Sequence, residues 1–146
     1  MIDFKSDEYF MQQAIKQAEI AFSNDEVPVG AIVVAKGQII ARGHNLTEQL
    51  NDVTAHAEMQ AITSAAEHLG GKYLTECTLF VTLEPCAMCA GALNWAQINR
   101  VVFGAFDEKR GAGRFQNIYH PKTEVVGGLL KDECGELIRS FFKNKR

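Results

Sequence analysis

Two short motifs constrain the fold of this chain most strongly, because both carry residues that bind metal ions. One is His56-Ala57-Glu58, and the other is Pro85-Cys86-Ala87-Met88-Cys89. Cys86 and Cys89 are three residues apart in the first turn of a predicted helix, so both thiols project from one helix face. The partial positive charge of a helix N-terminus favours the thiolate forms that metal ligation requires. If His56 joins these thiols, the fold must bring two helix starts together.

His56 would add a neutral imidazole to the two thiolates. This set of soft and borderline ligands suits zinc better than magnesium or calcium. Three protein ligands on a tetrahedral ion leave one position for water, and zinc lowers the pKa of that water to about 7. The sequence therefore predicts one catalytic zinc ion per chain, which produces a hydroxide at neutral pH.

Glu58 requires a separate argument, because residues two apart on an ideal helix point about 200° away from each other. Near a helix start, however, the His56 imidazole can reach back over the terminus while the Glu58 carboxylate enters the pocket from the side. Glu58 is then predicted to be a proton shuttle and not a ligand. The alternative is a closed structural zinc site. Its fourth ligand would be Cys77, Cys134, His44, His68 or His120.

The remaining pattern predicts four helices and five strands. Helices are predicted from a Ser6 cap to Phe22, from Thr54 to about Gly70, from Pro85 at the first helical position to about Ala96, and from about Lys131 to Phe142. Strands are predicted over 29–35, 38–41, 78–83 and 100–105 and around Val125, with loops over 42–52 and 107–121. This order predicts a three-layer α/β/α sandwich on a central mixed five-stranded sheet. The length of 146 residues suits one domain over residues 1–146.

The charge of the chain is distributed unevenly. The net charge of −3 argues against a generally cationic nucleic-acid binder. Residues 1–99, however, carry 5 Lys and Arg against 12 Asp and Glu, a net charge of −7, whereas residues 100–146 carry 10 against 6, a net charge of +4. A polyanionic partner is therefore expected at the C-terminal third.

The same sequence carries no membrane signal. No apolar run approaches the ~20 residues that a bilayer span requires. The N-terminus has no basic stretch that leads into an apolar run, as a secretory signal peptide would. We therefore expect a cytoplasmic protein with reduced cysteines and no membrane partner.

The two motifs together resemble the zinc deaminase signature, a His-x-Glu followed by a Pro-Cys-x-x-Cys. Within that superfamily the chain resembles the bacterial tRNA-specific adenosine deaminases over nearly its whole length. The stretches that carry the resemblance are residues 26–31 (EVPVGA), 54–58 (TAHAE), 82–92 (TLEPCAMCAGA) and 101–105 (VVFGA).

The resemblance implies a cytidine deaminase-like fold and hydrolytic conversion of adenosine to inosine at the wobble position of a tRNA anticodon. It also implies a homodimer whose partner is the anticodon stem-loop. By the mechanism that the resemblance implies, His56, Cys86 and Cys89 would hold zinc, and Glu58 would move a proton to the ring and then to the departing ammonia. Asn45 matches a nucleotide-contacting asparagine and Val29 an apolar pocket wall. From the residues alone, the alternatives are a loop-capping amide for Asn45 and an ordinary strand residue for Val29.

Possible RNA contacts lie in the positively charged third of the chain. Single-stranded RNA is commonly recognised by aromatic stacking and phosphate neutralisation. The candidates are Lys109, Arg110 and Arg114 in the long loop, and Phe141, Phe142, Lys143, Lys145 and Arg146 at the C-terminus. The alternatives are a solvated loop and a terminal helix whose phenylalanines pack on the core.

Two other functions remain open at this level. One is a free-base or nucleoside deaminase that acts on guanine or cytosine with the same zinc site. The other is a non-catalytic interaction domain that zinc stabilises. The basic and aromatic C-terminus favours the RNA-editing enzyme over the free-base deaminase. The interaction domain predicts instead a fourth protein ligand, and a loss of stability without a chemical defect in Glu58→Ala.

Overall fold

The structure of the chain is a computed structural model that describes residues 6–145. Within these residues the helices are α1 (Asp7–Ser23), α2 (Ala57–Leu69), α3 (Ala87–Ala96) and α4 (Lys131–Lys143), with a short 3-10 helix at Ala112–Arg114. The strands are β1 (Gly30–Ala35), β2 (Gln38–His44), β3 (Cys77–Leu83), β4 (Arg100–Ala105) and β5 (Glu124–Gly127). The predicted number and order of α-helices and strands are confirmed.

The five strands form one mixed sheet in the order β2-β1-β3-β4-β5. Strand β1 runs antiparallel to β2 and β3, whereas β3, β4 and β5 are parallel to one another. Lys36 and Gly37 join β1 to β2 with φ of 52° and 74°. Positive φ at both central residues is what a type I′ hairpin turn requires.

The sheet is covered on both faces, because successive strand residues point to opposite sides. Val33 and Leu79 belong to a buried cluster with residues of α2 and α3. Their neighbours Ile32 and Phe80 belong to a second cluster with residues of α1 and α4. The helix α1 lies so close to the sheet that a Cβ at Gly30 would be 2.1 Å from the carbonyl oxygen of Ala14. The predicted three-layer α/β/α sandwich is confirmed.

Strand β2 is longer than predicted, since residues 42–44 were expected in a loop. Arg42 pairs with Ile32, and His44 pairs with Gly30, so the buried strand β1 supplies the hydrogen bonds that hold this polar stretch extended. As an edge strand, β2 needs an apolar side chain only on the face that packs inward. Gly43 lies under the start of α2, where a Cβ would be 2.7 Å from the carbonyl oxygen of Ala57.

Helix α2 begins at Ala57 and not at Thr54 as predicted. The backbone N–H and the hydroxyl of Thr54 both donate to Oδ1 of Asp52, at 2.8 and 2.7 Å, and hold a turn before the helix. His56 is the N-cap residue, with an extended backbone at φ −71° and ψ 156°. The predicted end near Gly70 is confirmed, because Gly70 ends the helix in the left-handed conformation with φ of 70°.

Helix α3 begins at Ala87, so the prediction of Pro85 at its first position is wrong. Cys86 is the N-cap residue and remains extended, with φ −77° and ψ 174°. The carbonyl oxygen of Pro85 accepts the N–H of Ala112 at 2.8 Å, and Cys86 forms an isolated bridge with Gly111. These bonds to the loop after β4 keep Pro85 and Cys86 out of the helix.

The fold places the starts of α2 and α3 near one edge of the sheet. Strands β3 and β4 are parallel and end together, with Leu83 beside Ala105. The segment that leads into α3 and the loop that follows β4 therefore both begin at the carboxyl ends of these parallel strands. Open α/β sheets commonly bind ligands at this end. In residues 6–145, no helix combines the length and apolar character needed to cross a membrane.

Candidate metal centre and active site

The structure brings His56, Cys86 and Cys89 together at this edge. Nδ1 of His56 lies 3.7 Å from Sγ of Cys86 and 3.5 Å from Sγ of Cys89. The three ligand atoms all lie within 4.8 Å of one another. A tetrahedral zinc ion holds nitrogen and sulfur ligands about 3.5 Å apart, given its usual bond lengths. The three side chains therefore fit one zinc ion.

The local backbone explains how two helices supply these ligands. His56 precedes α2 in an extended conformation, so its imidazole is not bound to a helix face and is available beyond the helix terminus. Cys86 holds the same N-cap position on α3, and Cys89 follows one turn later. Residues three apart lie on the same helix surface, which directs both thiols to one side.

The two thiols and His56 interact electrostatically with one another. Hydrogen bonding with Cys89 lowers the pKa of Cys86 to about 3, while the same contact raises the pKa of Cys89. The hydrogen bond from His56 to Cys86 raises the pKa of His56. A divalent cation bound there would displace the protons of the cluster, because zinc requires deprotonated ligands.

The geometry argues against a closed structural site. In the described part of the chain, no fourth His, Cys, Asp or Glu joins the three-residue group. Cys77 begins β3 while Cys86 follows its other end, and a strand of this length spans about 20 Å. Cys134 is 1% exposed beside Gly104, and burial raises its pKa to about 12. Both thiols are core residues.

None of the candidate histidines joins the three-residue group either. His44 ends β2, where burial lowers its pKa, and His68 lies in the last turn of α2. Nδ1 of His120 accepts the N–H of Lys122 at 3.1 Å.

Glu58 lies in the first turn of α2 and is only 4% exposed, although it carries a carboxyl group. Burial raises its pKa to about 7, against the opposing effect of its backbone hydrogen bond and of His56. Glu58 also interacts with the Cys89 thiol and lines the same cavity as His56 and Cys86. A buried carboxyl group with a pKa near neutrality, beside a metal site, suits proton transfer.

The cavity beside this cluster has a volume of about 740 Å³. Pockets of about 300–1,000 Å³ commonly hold small ligands such as a nucleoside. The wall includes Val29 and Asn45, the two residues predicted to bind substrate. Oδ1 of Asn45 accepts the N–H of Thr47 at 3.4 Å, so Asn45 supports its loop as well as lining the cavity.

Three predicted RNA contacts lie at the cavity. Lys109 and Arg110 are exposed and contribute to the wall, as does Phe142, which is 47% exposed. Exposed cations and an exposed ring thus stand beside the buried cluster.

The other predicted RNA contacts lie elsewhere. Phe141 is only 7% exposed and packs edge to face against Phe22, with ring centroids 5.9 Å apart. A base cannot stack on a buried ring, so the structure corrects Phe141 to a core residue. Arg114 lies on the 3-10 helix and stands over the Phe115 ring at 5.7 Å. Lys143 is exposed at the end of α4.

The end of the chain carries the last candidates. Lys145 forms an ion pair with Asp25, which joins the segment after α4 to the end of α1. Arg146 lies outside the described residues.

Two residues of the cavity wall, Phe106 and Glu84, were not predicted from the sequence. Phe106 is 57% exposed there. Outside the wall, Glu26 is 1% exposed and supports the loop after β2, because it accepts the N–H groups of Glu48 at 2.9 Å and of Gln49 at 2.7 Å. Glu84 also lines the cavity and accepts backbone N–H groups of the loop after β4. The available signal was a carboxylate inside each of the stretches 26–31 and 82–92.

Comparison with known proteins agrees with this site. Residues 4–105 match the family model of the cytidine and deoxycytidylate deaminase zinc-binding region. A tRNA-specific adenosine deaminase from Bacillus subtilis is 47% identical to the chain, over 96% of this chain and 91% of the relative.

Two solved structures share the fold. One comes from a study of A-to-I editing by tRNA:A34 deaminases at the wobble position of transfer RNA. Its TM-score is 0.83 at 43% identity, and the match covers 88% of this chain and 98% of that one. The other is a guanine deaminase from Nitrosomonas europaea, with a TM-score of 0.84 at 25% identity over 93% of this chain and 84% of that one. The chain therefore belongs to the zinc-dependent cytidine and deoxycytidylate deaminase superfamily and, within it, to the family of tRNA-specific adenosine deaminases.

Proposed function

We propose that this chain converts adenosine to inosine by hydrolytic deamination at the wobble position of a tRNA anticodon. The observation that carries the proposal is the cavity itself: the buried carboxyl group of Glu58 and the His/Cys/Cys cluster meet there with exposed Lys109 and Arg110. The tRNA-specific adenosine deaminases among its relatives support the choice of substrate.

The residues of the cluster divide the chemistry. His56, Cys86 and Cys89 hold zinc, which when bound acts as a Lewis acid that activates water for attack on C6 of the adenine ring. Glu58 takes the proton of that water and delivers it to the ring nitrogen next to C6. In a second transfer Glu58 takes the proton of the hydroxyl group now on C6 and delivers it to the amino group, which leaves as ammonia. The net reaction consumes one water and leaves a carbonyl group at C6.

The cavity walls and rim would bind and orient the nucleotide. Val29 offers an apolar surface to the base, and Asn45 offers an amide to the nucleotide. Lys109 and Arg110 would neutralise phosphates of the anticodon loop, while Phe142 offers an exposed ring for a neighbouring base. We also propose contacts from Arg114, Lys143 and Arg146. Zinc ligation by free thiols and a tRNA substrate fit one deaminase domain over residues 1–146 that acts in the cytoplasm.

A guanine deaminase is the second candidate, because a solved guanine deaminase shares this fold at 25% identity. Zinc-loaded protein should be supplied separately with an anticodon stem-loop, free guanine and free cytosine. We expect kcat/KM for the stem-loop to exceed that for either free base by at least about 10²-fold, because only the RNA has phosphates that can bind Lys109 and Arg110. Ammonia release measures all three reactions. Strong activity on guanine with none on the stem-loop would favour the second candidate.

We also propose that the chain forms a homodimer through α3. Trp95 is 86% exposed and Met88 is 37% exposed, and their spacing of seven residues places both on one face of this helix. An exposed apolar face of this kind is typical of an interaction surface.

Sedimentation of the wild-type chain at micromolar concentration is expected to give the mass of a dimer. Trp95→Glu is expected to give a monomer, because the substitution places a charge in the proposed interface. Tyr73→Glu is the matched control, since Tyr73 is an exposed aromatic residue between α2 and β3. A monomeric wild type, or a dimer that Trp95→Glu leaves intact, would contradict this assignment.

A further inference from the structure

Glu84 connects the segment that carries Cys86 to the loop that follows β4. Its two carboxylate oxygens accept backbone hydrogen bonds from two separate points of that loop. The N–H of Asp107 donates to Oε1 at 3.0 Å, and the N–H of Gly113 donates to Oε2 at 2.9 Å. These two amides enclose residues 107–113, which we call the basic loop because it contains Lys109 and Arg110. One side chain thus fixes both ends of the basic loop.

The basic loop is packed directly on this carboxylate. A Cβ at Gly111 would lie 2.3 Å from Oε1 of Glu84, and a Cβ at Gly113 would lie 2.8 Å from Oε2. Both distances are shorter than a non-bonded contact permits, so neither position accepts a side chain while Glu84 keeps its place. The bond from the N–H of Ala112 to the carbonyl oxygen of Pro85, at 2.8 Å, adds a third connection.

A short series of hydrogen bonds leads from Glu84 to the two cations. Oδ1 of Asp107 accepts the N–H of Lys109 at 3.2 Å and the N–H of Arg110 at 3.1 Å. The N–H of Asp107 is itself bound by Glu84. The backbone of Lys109 and Arg110 therefore depends on Glu84, and both residues line the cavity that holds Glu58.

We propose that Glu84 is a positioning residue for RNA, which acts through the basic loop to hold Lys109 and Arg110 at the cavity. This inference rests on the proposed function, because it assigns those two cations to the phosphates of an RNA substrate. A carboxylate at this place would by its charge alone repel a polyanion. Its contribution to binding must come from the two backbone N–H groups that it holds, since hydrogen bonds to a charged acceptor are stronger than neutral ones.

Glu84→Gln tests the proposal, because it preserves the size of the side chain but replaces one carboxylate oxygen with an NH2 group. That NH2 group is a donor and cannot accept the N–H of Asp107 or of Gly113. We expect KM for the anticodon stem-loop to rise about tenfold with kcat within about twofold, a loss of substrate binding and not of chemistry. Zinc content should stay at the wild-type value.

Glu108→Gln is the matched control, because it removes the same charge from an exposed position of the basic loop. If Glu84 acted only by its charge, both variants would lower KM, since each removes a repulsion from RNA. The proposal predicts opposite signs: KM rises for Glu84→Gln, and it falls or stays constant for Glu108→Gln. A lowered KM in Glu84→Gln would overturn the proposal. A lowered kcat at constant KM would also overturn it, because Glu84 would then belong to the catalytic machinery.

A double-mutant cycle tests the route through the loop. Replacing Lys109 and Arg110 with alanine should raise KM in both backgrounds. The factor of increase should be at least about threefold smaller in Glu84→Gln than in the wild type, because the loop is already displaced there. Effects that multiply independently would overturn the proposed route.

Hydrogen exchange of the free protein provides a readout that needs no substrate. In Glu84→Gln we expect amides of residues 107–113 to exchange at least about tenfold faster, with the rest of the chain unchanged. If the wild-type chain does not act on the stem-loop, the proposed function fails, and loop exchange still decides whether Glu84 fixes the loop. Unchanged exchange would overturn the inference.

Discussion

Replacing Glu58 with alanine is expected to lower the turnover of adenosine by about 10³-fold or more, while zinc content and fold remain as in the wild type. Glu58 is not one of the three residues that could hold a metal ion, so in the proposed mechanism its loss removes proton transfer without removing a ligand. The carboxyl group is 4% exposed, with a pKa near neutrality that burial causes. In the Glu58→Ala variant, no other side chain takes over the acid and base functions of this carboxyl group.

The experiment combines single-turnover rates with zinc measured by mass spectrometry. Glu67→Gln is the control, because Glu67 is an exposed carboxylate on the same helix and should leave both quantities unchanged. Glu58→Gln is expected to match Glu58→Ala, since an amide keeps the shape but cannot carry the proton. If Glu58→Ala turns over substrate at the wild-type rate, the assigned role is wrong. If it loses zinc, Glu58 is a ligand and the site is closed.

Replacing Cys86 with alanine is expected to abolish both zinc binding and activity. The thiol belongs to the three-residue group that could hold a metal ion, and hydrogen bonding with Cys89 lowers its pKa to about 3. Losing it leaves two protein ligands, too few to hold zinc tightly in a tetrahedral site. Because metal binding to the folded chain also stabilises it, the melting temperature should fall as well.

The control for this variant is Cys77→Ala, which removes a thiol of the same kind from the far end of β3. That variant should keep its zinc and most of its activity and lose only the modest stability of a truncated buried side chain. Chelation of the wild type should reproduce the lower melting temperature of Cys86→Ala, and added zinc should restore the wild type alone. Full zinc content in Cys86→Ala would contradict the assigned ligand set.

The order of elements and the residues of the metal cluster could be predicted because their signals are local. Apolar residues repeat along Phe10, Met11 and Ala14 at the helical period, and the Cys-x-x-Cys spacing puts two thiols on one turn. Helix starts were harder, because hydrogen bonds to neighbours decide them. The sequence pattern predicts a helix from Thr54. The bonds of Thr54 to Asp52 hold a turn there, and His56 is still extended before the helix begins at Ala57.

Tertiary contacts account for what the sequence could not predict. Phe141 and Phe142 are adjacent and chemically identical, yet Phe141 packs against Phe22 of α1 and Phe142 lines the cavity. Glu84 bonds to backbone N–H groups that lie 23 and 29 residues away. No local sequence pattern predicts such hydrogen bonds, so the contacts of Glu84 with the basic loop are visible only in the folded chain.

The most direct test of the account is to incubate zinc-loaded protein with total tRNA and to sequence the anticodons for inosine. We expect inosine at wobble adenosines with the wild-type chain and none with Glu58→Ala under the same conditions. This result would show both that the chain acts on tRNA and that the reaction requires Glu58. Anticodons that keep adenosine after incubation with the zinc-loaded wild type would contradict the account.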